Sequence, residues 1–156
     1  MTDSEEPSDD GANGELGLGP LGDLLGFHLA RATLTTTALF ERHIGKPFGL
    51  SKVEFSMLML LLANGPLNPK RLAHALALTP PKMTMLLDRM QARELLRRER
   101  SEIDRRSQNV VLTAEGERIA RGSAAAAPAS EAALNGRLSR AERAMLLELL
   151  DKVAGG

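Results

Sequence analysis

Apolar residues recur every three or four positions along most of this chain, which is the spacing of helices that bury one face. The first such stretch covers about residues 22–43, and Gly45-Lys46-Pro47 is expected to end it. A second helix begins at Ser51-Lys52-Val53-Glu54, a capping box in which the serine and glutamate side chains bond to each other's backbone amides. Asn64-Gly65-Pro66 is expected to end that helix.

Two shorter helices follow, each opened by a capping residue and proline. Asn68-Pro69 begins the third helix, and Thr79-Pro80-Pro81 repeats this signal before the fourth, predicted for residues 81–93. One face of the fourth helix is apolar and contains Met83, Leu86, Leu87 and Met90. The opposite arc contains Pro81, Lys82, Thr84, Met85, Asp88 and Arg89. This split predicts a helix that is anchored on one side and free on the other.

The C-terminal half begins with two short strands. Residues 97–100 and 109–112 are predicted as two short strands on either side of a polar, arginine-containing loop, which makes an antiparallel hairpin. Thr113 is expected to cap a long helix that Pro128 kinks or breaks. A second capping box, Ser139-Arg140-Ala141-Glu142, opens a final helix.

The order of these elements is that of a winged helix-turn-helix. The fourth helix would enter the major groove of DNA, with Lys82 suited to phosphate or guanine and Thr84 and Met85 suited to thymine methyl groups. An ordinary amphipathic surface helix has a similar split, so this pattern alone does not distinguish a DNA-binding helix from a surface helix. In the hairpin loop, Arg105 and Arg106 stand where a plain turn would favour Gly, Asn or Asp. Arginine gains from the negative potential of a narrow minor groove, although a surface ion pair with Asp104 is the alternative.

Composition narrows the class of protein. Hydrophobic residues make up 43% of the chain and aromatic residues only 3%, so helices with Leu, Ala, Met and Val cores are expected. There is no cysteine, no early apolar run typical of a signal peptide and no apolar stretch of membrane-spanning length, which predicts a cytoplasmic protein. The zero net charge is uneven: residues 1–20 have six acidic and no basic residues, whereas 64–108 have ten basic and five acidic residues. We therefore expect a disordered acidic tail over 1–20 and a local basic face.

Several of these segments resemble the MarR family of bacterial transcription regulators. The resemblance is in Leu72-Ala73, Leu78-Thr79-Pro80, Thr84, Leu86-Leu87-Asp88-Arg89-Met90, Leu95-Leu96, Asp104-Arg105-Arg106 and Leu112-Thr113-Ala114-Glu115-Gly116. It implies a mainly α fold with a small β-hairpin wing, in which a winged helix-turn-helix lobe is joined to N- and C-terminal dimerisation helices. Residues 21–156 would form one domain, with the winged lobe at about 50–113 and the dimerisation helices at about 22–43 and 114–153. The family often has an arginine or polar residue at Met85 and commonly a glycine at Glu94, where a left-handed conformation would cost a glutamate on the order of 1 kcal/mol.

The resemblance also implies a homodimer on a pseudo-palindromic operator, usually a repressor that a small phenolic or aromatic acid releases. The expected DNA-binding residues are Lys70, Thr79, Pro81, Lys82, Thr84, Met85, Arg89, Arg100, Asp104, Arg105 and Arg106. Beside the first helix the resemblance implies a ligand pocket, for which His28, Arg31 and Thr35 are candidates; a histidine satisfied within an interface is the alternative for His28.

Other functions have less support in the sequence. We find no phosphate-binding glycine loop, nucleophile motif, metalloprotease helix or interior carboxylate pair, so we expect neither an enzyme nor a cofactor. With only His28, His43 and His74 available, no metal site is expected. The remaining alternative is a winged-helix module that binds proteins, as an antirepressor or scaffold, without specific DNA binding.

Overall fold

The structure is a computed structural model that describes residues 16–100 and 108–155. The chain forms two units, residues 1–34 and 35–156. In the described part of the first unit, a 3-10 turn at Gly19–Asp23 precedes helix α1, Leu25–Phe40, whose last residues belong to the second unit. No described residue of the first unit is buried. The rest of the predicted acidic tail, residues 1–15, lies outside the described residues.

The first helical stretch does not end where the sequence predicted. After α1 the backbone makes a π-helical turn over Glu41–Gly45 and continues as the short helix α2, Lys46–Phe48. Pro47 is tolerated because it lies in the first turn of α2, where an amide proton is not needed for the helical ladder. Gly49, with φ of 62°, ends the helical path in the left-handed conformation that glycine adopts without strain.

Helix α3, Lys52–Asn64, has the predicted capping box, with Ser51 Oγ accepting from the Glu54 amide. Helix α4 spans Pro69–Ala75, and Asn68 caps it by accepting from the Lys70 amide at 2.8 Å. Helix α5 spans Pro80–Ala92, but Thr79 makes no side-chain capping bond there. Pro80 and Pro81 fill the first two helical positions and have no amide proton, so the Lys82 amide is the first that Thr79 could accept from, and that bond is not formed.

The predicted hairpin is present, with each strand one residue longer than expected. Strand β1, Leu96–Arg100, pairs antiparallel with β2, Gln108–Leu112, so that Leu96 lies opposite Leu112. Val110 also forms a bridge with Leu67, whose amide donates to the Val110 carbonyl at 3.1 Å. The hairpin is thereby joined to the segment that leads into α4.

Helix α6, Ala114–Asn135, runs without a break through Pro128. Thr113 caps it, as predicted, by accepting from the Gly116 amide. A proline removes one intrahelical hydrogen bond, and the bonds on both sides keep the helix continuous. Of the two effects expected of Pro128, the break is therefore absent, and the kink stays a prediction. Helix α7, Arg140–Ala154, opens with the predicted Ser139–Glu142 capping box.

The hydrophobic core lies in the second unit and is built from aliphatic side chains and methionine. Its buried members are Leu50, Met57, Leu58, Leu61, Leu67, Leu72, Met83, Leu86, Leu87, Met90, Leu95, Leu96, Val110 and Ala120. They come from α3, α4, α5, α6, the hairpin and the connecting segments, so the core joins these elements. Full burial of each large side chain contributes about 1.5–3 kcal/mol. By contrast, α7 has no buried residue.

Glu94 has a left-handed backbone, with φ of 56°, a conformation that glycine adopts without strain. We expect Glu94→Gly to raise the free energy of unfolding by up to about 1 kcal/mol, because glycine removes the steric cost of this conformation. Part of that gain is lost because glycine makes the unfolded chain more flexible. Urea denaturation measures the change. The matched control is Gln91→Gly in the exposed last turn of α5, which we expect to lose about 1 kcal/mol. A loss of stability in Glu94→Gly would contradict the expectation.

Candidate nucleic-acid interface

The turn between α4 and α5 sets the angle between these two helices. Ala77 has a φ of 50°, a left-handed conformation that is unusual for a residue with a side chain. Its amide donates to the His74 carbonyl at 3.2 Å, and the Leu78 amide donates to the Ala73 carbonyl at 2.9 Å. These bonds close the turn. Sequence reasoning missed it, because the usual signal, glycine or asparagine, is absent from this position.

Helix α5 has the two faces that the wheel predicted. Met83, Leu86, Leu87 and Met90 are buried, with exposed fractions of at most 4%. On the opposite side Pro81, Lys82, Thr84, Met85, Asp88 and Arg89 are all exposed. Met85 is 72% exposed, so its side chain is accessible on this face. The inner face therefore fixes the helix on the core, and the outer face is free to contact another molecule.

The outer face of α5 has two positively charged side chains, those of Lys82 and Arg89. Lys82 is exposed in the first turn, while the Thr84 hydroxyl donates to the Pro80 carbonyl at 3.1 Å. Asp88 accepts from Arg98 of β1 at 2.6 Å, so this ion pair joins α5 to the hairpin. The polar groups that remain for a partner are mainly those of Lys82 and Arg89.

Arg89 is part of an ion-pair cluster that the sequence did not indicate. Its Nε donates to Oε1 of Glu54 at 3.0 Å, and Arg93 Nη1 donates to the same oxygen at 3.1 Å. Arg93 also donates to the Gly49 carbonyl at 2.9 Å. The sequence predicted Glu54 only as a capping residue. Its partners Arg89 and Arg93 are 35 and 39 residues away along the chain, and a local sequence pattern does not predict such distant contacts.

The Glu54 carboxyl is buried, and burial by itself raises its pKa. Hydrogen bonds from the Ser51 amide and hydroxyl, together with the charges of Arg89 and Arg93, outweigh burial, so the pKa lies below its ordinary value. A pKa lowered in the folded state stabilises the fold above the unfolded-state pKa. That stabilisation is lost as the pH falls through the folded-state pKa.

The hairpin adds basic residues beside α5. Arg100 is exposed at the end of β1, and Arg97 forms an exposed ion pair with Glu99 at 2.6 Å. The predicted wing residues Asp104, Arg105 and Arg106 lie outside the described residues, so their DNA contacts stay predictions. At the base of the hairpin, a cavity of about 420 Å³ lies between α4, α5 and the two strands. Its wall includes Lys70 of α4, Thr84 of α5 and Arg98 of β1.

The candidate effector residues lie on α1. In the first unit, His28 is exposed and its Nε2 donates to the Gly22 carbonyl at 2.7 Å, while its ring meets Phe27 edge-on. The Arg31 guanidinium lies 5.7 Å from the centre of the Phe27 ring. Thr35, in the second unit, is half-buried. His28 therefore already has one hydrogen-bond partner, and the ligand role of all three residues stays a prediction.

Residues 16–100 and 108–155 have no group of three or more His, Cys, Asp or Glu side chains that could hold a metal ion. None of the helices in this part of the chain is both long enough and apolar enough to cross a membrane.

Comparison with known proteins gives one consistent class. A model of the MarR family matches residues 50–108. The transcriptional regulator MgrA of Staphylococcus aureus is 32% identical over 99 residues, which are 64% of this chain and 67% of MgrA. These relatives are transcription regulators and not enzymes.

Solved structures agree. The transcriptional repressor CouR bound to a 23-mer DNA duplex is 37% identical, with a TM-score of 0.79 over 90% of this chain and 99% of CouR. CouR bound to p-coumaroyl-CoA is 33% identical, with a TM-score of 0.78 over 90% of this chain and 98% of CouR. The similarity thus covers the helix-turn-helix, the hairpin and the flanking helices together. The chain belongs to the MarR family and is a winged-helix, DNA-binding transcriptional regulator.

Proposed function

We propose that this regulator is a homodimeric repressor that binds a pseudo-palindromic operator and is released by an aromatic acid, either free or as its CoA thioester. The observation that carries the DNA part is the division of α5 into a buried inner face and an exposed outer face with Lys82, Thr84 and Met85. A helix of this kind is held rigidly while its outer side chains reach base edges in the major groove.

The proposed DNA contacts fall into two groups. Lys82, Thr84, Met85 and Arg89 on the outer face of α5 would read or approach bases, together with Pro81. Lys70 and Thr79 at the starts of α4 and α5, and Arg100 with Asp104, Arg105 and Arg106 on the wing, would hold the backbone and the minor groove. Phosphate contacts fix the register of the protein on DNA, and base contacts select the sequence.

Dimerisation is supported by unpartnered apolar side chains near both ends of the chain. On α7, large apolar residues are 44–58% exposed: Met145, Leu146, Leu147, Leu149 and Val153. In the first unit, Leu21, Leu24, Leu25 and Leu34 are 45–73% exposed. Exposed apolar side chains clustered on one helix are typical of protein interfaces. A two-fold dimer would present one α5 to each half of the operator.

The proposed effector class rests on the relatives. CouR, which is 33% identical to this chain, binds p-coumaroyl-CoA, the thioester of a phenolic acid. On α1, Phe27 offers a ring for stacking, and His28 and Arg31 offer donors for a carbonyl or carboxylate oxygen. Thr35 would add a hydroxyl further along α1.

We expect His28→Ala to preserve operator binding and to raise the effector concentration needed for release about tenfold, because one hydrogen bond to a polar effector oxygen is lost. Fluorescence anisotropy of labelled operator, titrated with p-coumaric acid and with p-coumaroyl-CoA, measures release. His74→Ala, which removes an exposed histidine from α4, is the control and should release as the wild type does. If the His28→Ala protein is released from the operator at the same effector concentration as the wild type, His28 is not part of the proposed site.

The proposal as a whole is tested by selecting genomic DNA fragments with the purified full-length protein. We expect a small set of enriched fragments that share a pseudo-palindrome, bound by a dimer in sedimentation analysis, with log K falling steeply with log salt. A fall in reporter expression from an enriched promoter when the regulator is supplied would establish repression. Selection of no fragment would contradict the proposal and favour the protein-binding module instead.

A further inference from the structure

Glu54 has more bonds than its capping role requires. Its Oε2 accepts from the Ser51 amide at 2.8 Å and from the Ser51 hydroxyl at 2.9 Å, which completes the capping box. Its Oε1 accepts from Arg89 of α5 and from Arg93, the residue that follows the last turn of α5. The residue is only 4% exposed. One carboxylate oxygen thus caps α3, while the other binds Arg89 of α5 and Arg93 just after it.

The second capping box of the chain shows that the extra bonds are not part of the motif. Glu142 accepts from the Ser139 amide at 2.7 Å, as Glu54 does from Ser51. Glu142 is exposed, and no arginine contacts its carboxylate within the described residues. Because a capping box works with glutamine as well as glutamate, the negative charge at position 54 is not needed to cap α3.

The charge acts instead on Arg89. This side chain is 56% exposed on the outer face of α5, one helical turn beyond Met85 and two turns beyond Lys82. Glu54 bonds to Nε, near the base of the guanidinium, so the side chain is oriented while more than half of it stays open to a partner. Arg93 is held from the other side by the Gly49 carbonyl, which keeps the carboxylate in place.

We propose that Glu54 is a positioning residue for DNA recognition: it holds Arg89 in one orientation on the outer face of α5 and partly neutralises its charge, which favours the operator over other DNA. The inference rests on the proposed function. A side chain that is already ordered loses less conformational entropy when it meets its specific site. A partly neutralised arginine displaces fewer counterions from phosphates, which weakens binding to random sequence.

The test compares Glu54→Gln with the wild type on a selected operator duplex and on a random duplex of the same length. Glutamine keeps the cap and removes the charge. We expect the slope of log K against log salt on random DNA to become steeper by about one unit, which is about tenfold tighter binding near 0.1 M salt, with a matching fall in the ratio of operator to random affinity. Glu142→Gln makes the same change in the second capping box and should leave both affinities at their wild-type values.

Two further variants show whether Arg89 carries the effect. In an Arg89→Gln background, Glu54→Gln should no longer tighten binding to random DNA, since the released cation is absent. Arg89→Lys keeps the charge but loses the Nε–H group that donates to the Glu54 carboxylate, so we expect it too to lower the ratio of operator to random affinity. This variant changes only an exposed residue and tests the inference even if Glu54→Gln does not fold.

The outcomes separate this inference from the proposed function. Wild-type protein without preference for any duplex would contradict the proposed function. Wild-type preference for the operator, with the same ratio in Glu54→Gln or in Arg89→Lys, would overturn only the role of Glu54. A tighter random complex that persists in the Arg89→Gln background would also overturn it, because the effect would then come from another residue.

Discussion

Replacing both Arg105 and Arg106 with alanine is expected to reduce operator affinity at least about 100-fold while the protein stays folded. Each arginine that enters the groove or contacts the backbone contributes on the order of 1–3 kcal/mol, and 1.4 kcal/mol is a factor of ten in affinity. The pair lies at the predicted tip of the hairpin, beyond Arg100 of β1. Anisotropy with labelled operator measures the affinity, and the melting temperature checks the fold.

The matched control for the wing variant is Arg118→Ala with Arg121→Ala. Both are exposed arginines near the start of α6, and each is paired with a glutamate on its own helix at 2.6 Å. Removing them changes the net charge by the same amount, yet we expect operator affinity to change less than about threefold, because paired surface charges contribute little. Wild-type operator affinity in the Arg105/Arg106 variant would count against a wing that contacts DNA.

Gly116→Ala is expected to destabilise the fold by about 3 kcal/mol or more, which is a large part of the stability of a typical domain. A β-carbon at this position would lie 1.7 Å from the carbonyl oxygen of Leu95 and 2.7 Å from its carbonyl carbon. Both are backbone atoms beside the hairpin, so the first turn of α6 would have to move away from the core. Urea denaturation measures the loss.

Gly136→Ala is the control for this substitution. Gly136 has a right-handed backbone, with φ of −71°, and a β-carbon there would meet only ordinary contacts at 3.8–3.9 Å. We expect its free energy of unfolding to be unchanged or to rise by up to about 1 kcal/mol, since alanine restricts the unfolded chain. Equal stability of the Gly116→Ala and Gly136→Ala proteins would show that α6 does not lie this close to Leu95.

The helix starts were predictable from short segments of sequence. Ser51, Asn68, Thr113 and Ser139 all cap the helices that follow them. A capping residue and the amide that it binds are two or three positions apart, so the signal is local and tertiary packing rarely overrides it. The buried face of α5 was predictable for a similar reason, because helical periodicity brings residues three and four apart to one side.

The wrong and missing predictions concern contacts that the local pattern does not contain. Proline and glycine at 45–47 favoured a helix end, but a π-helical turn takes the chain through them to Gly49. Pro128 interrupts one hydrogen bond of α6 without ending it. Ala77 adopts a conformation that its residue type does not favour, because the bonds that close the α4–α5 turn hold it there.

The sequence alone was sufficient for the order of elements, for the two faces of α5 and for the family, because each depends on residue types at short and regular spacing. It could not show that Glu54 meets Arg89 or that Gly116 lies against Leu95. These partners are 35 and 21 residues apart, and they meet only when α3, α5, α6 and the hairpin pack on one core. The local pattern thus identified a helix that can enter DNA, while packing placed the buried carboxylate that orients one of its arginines.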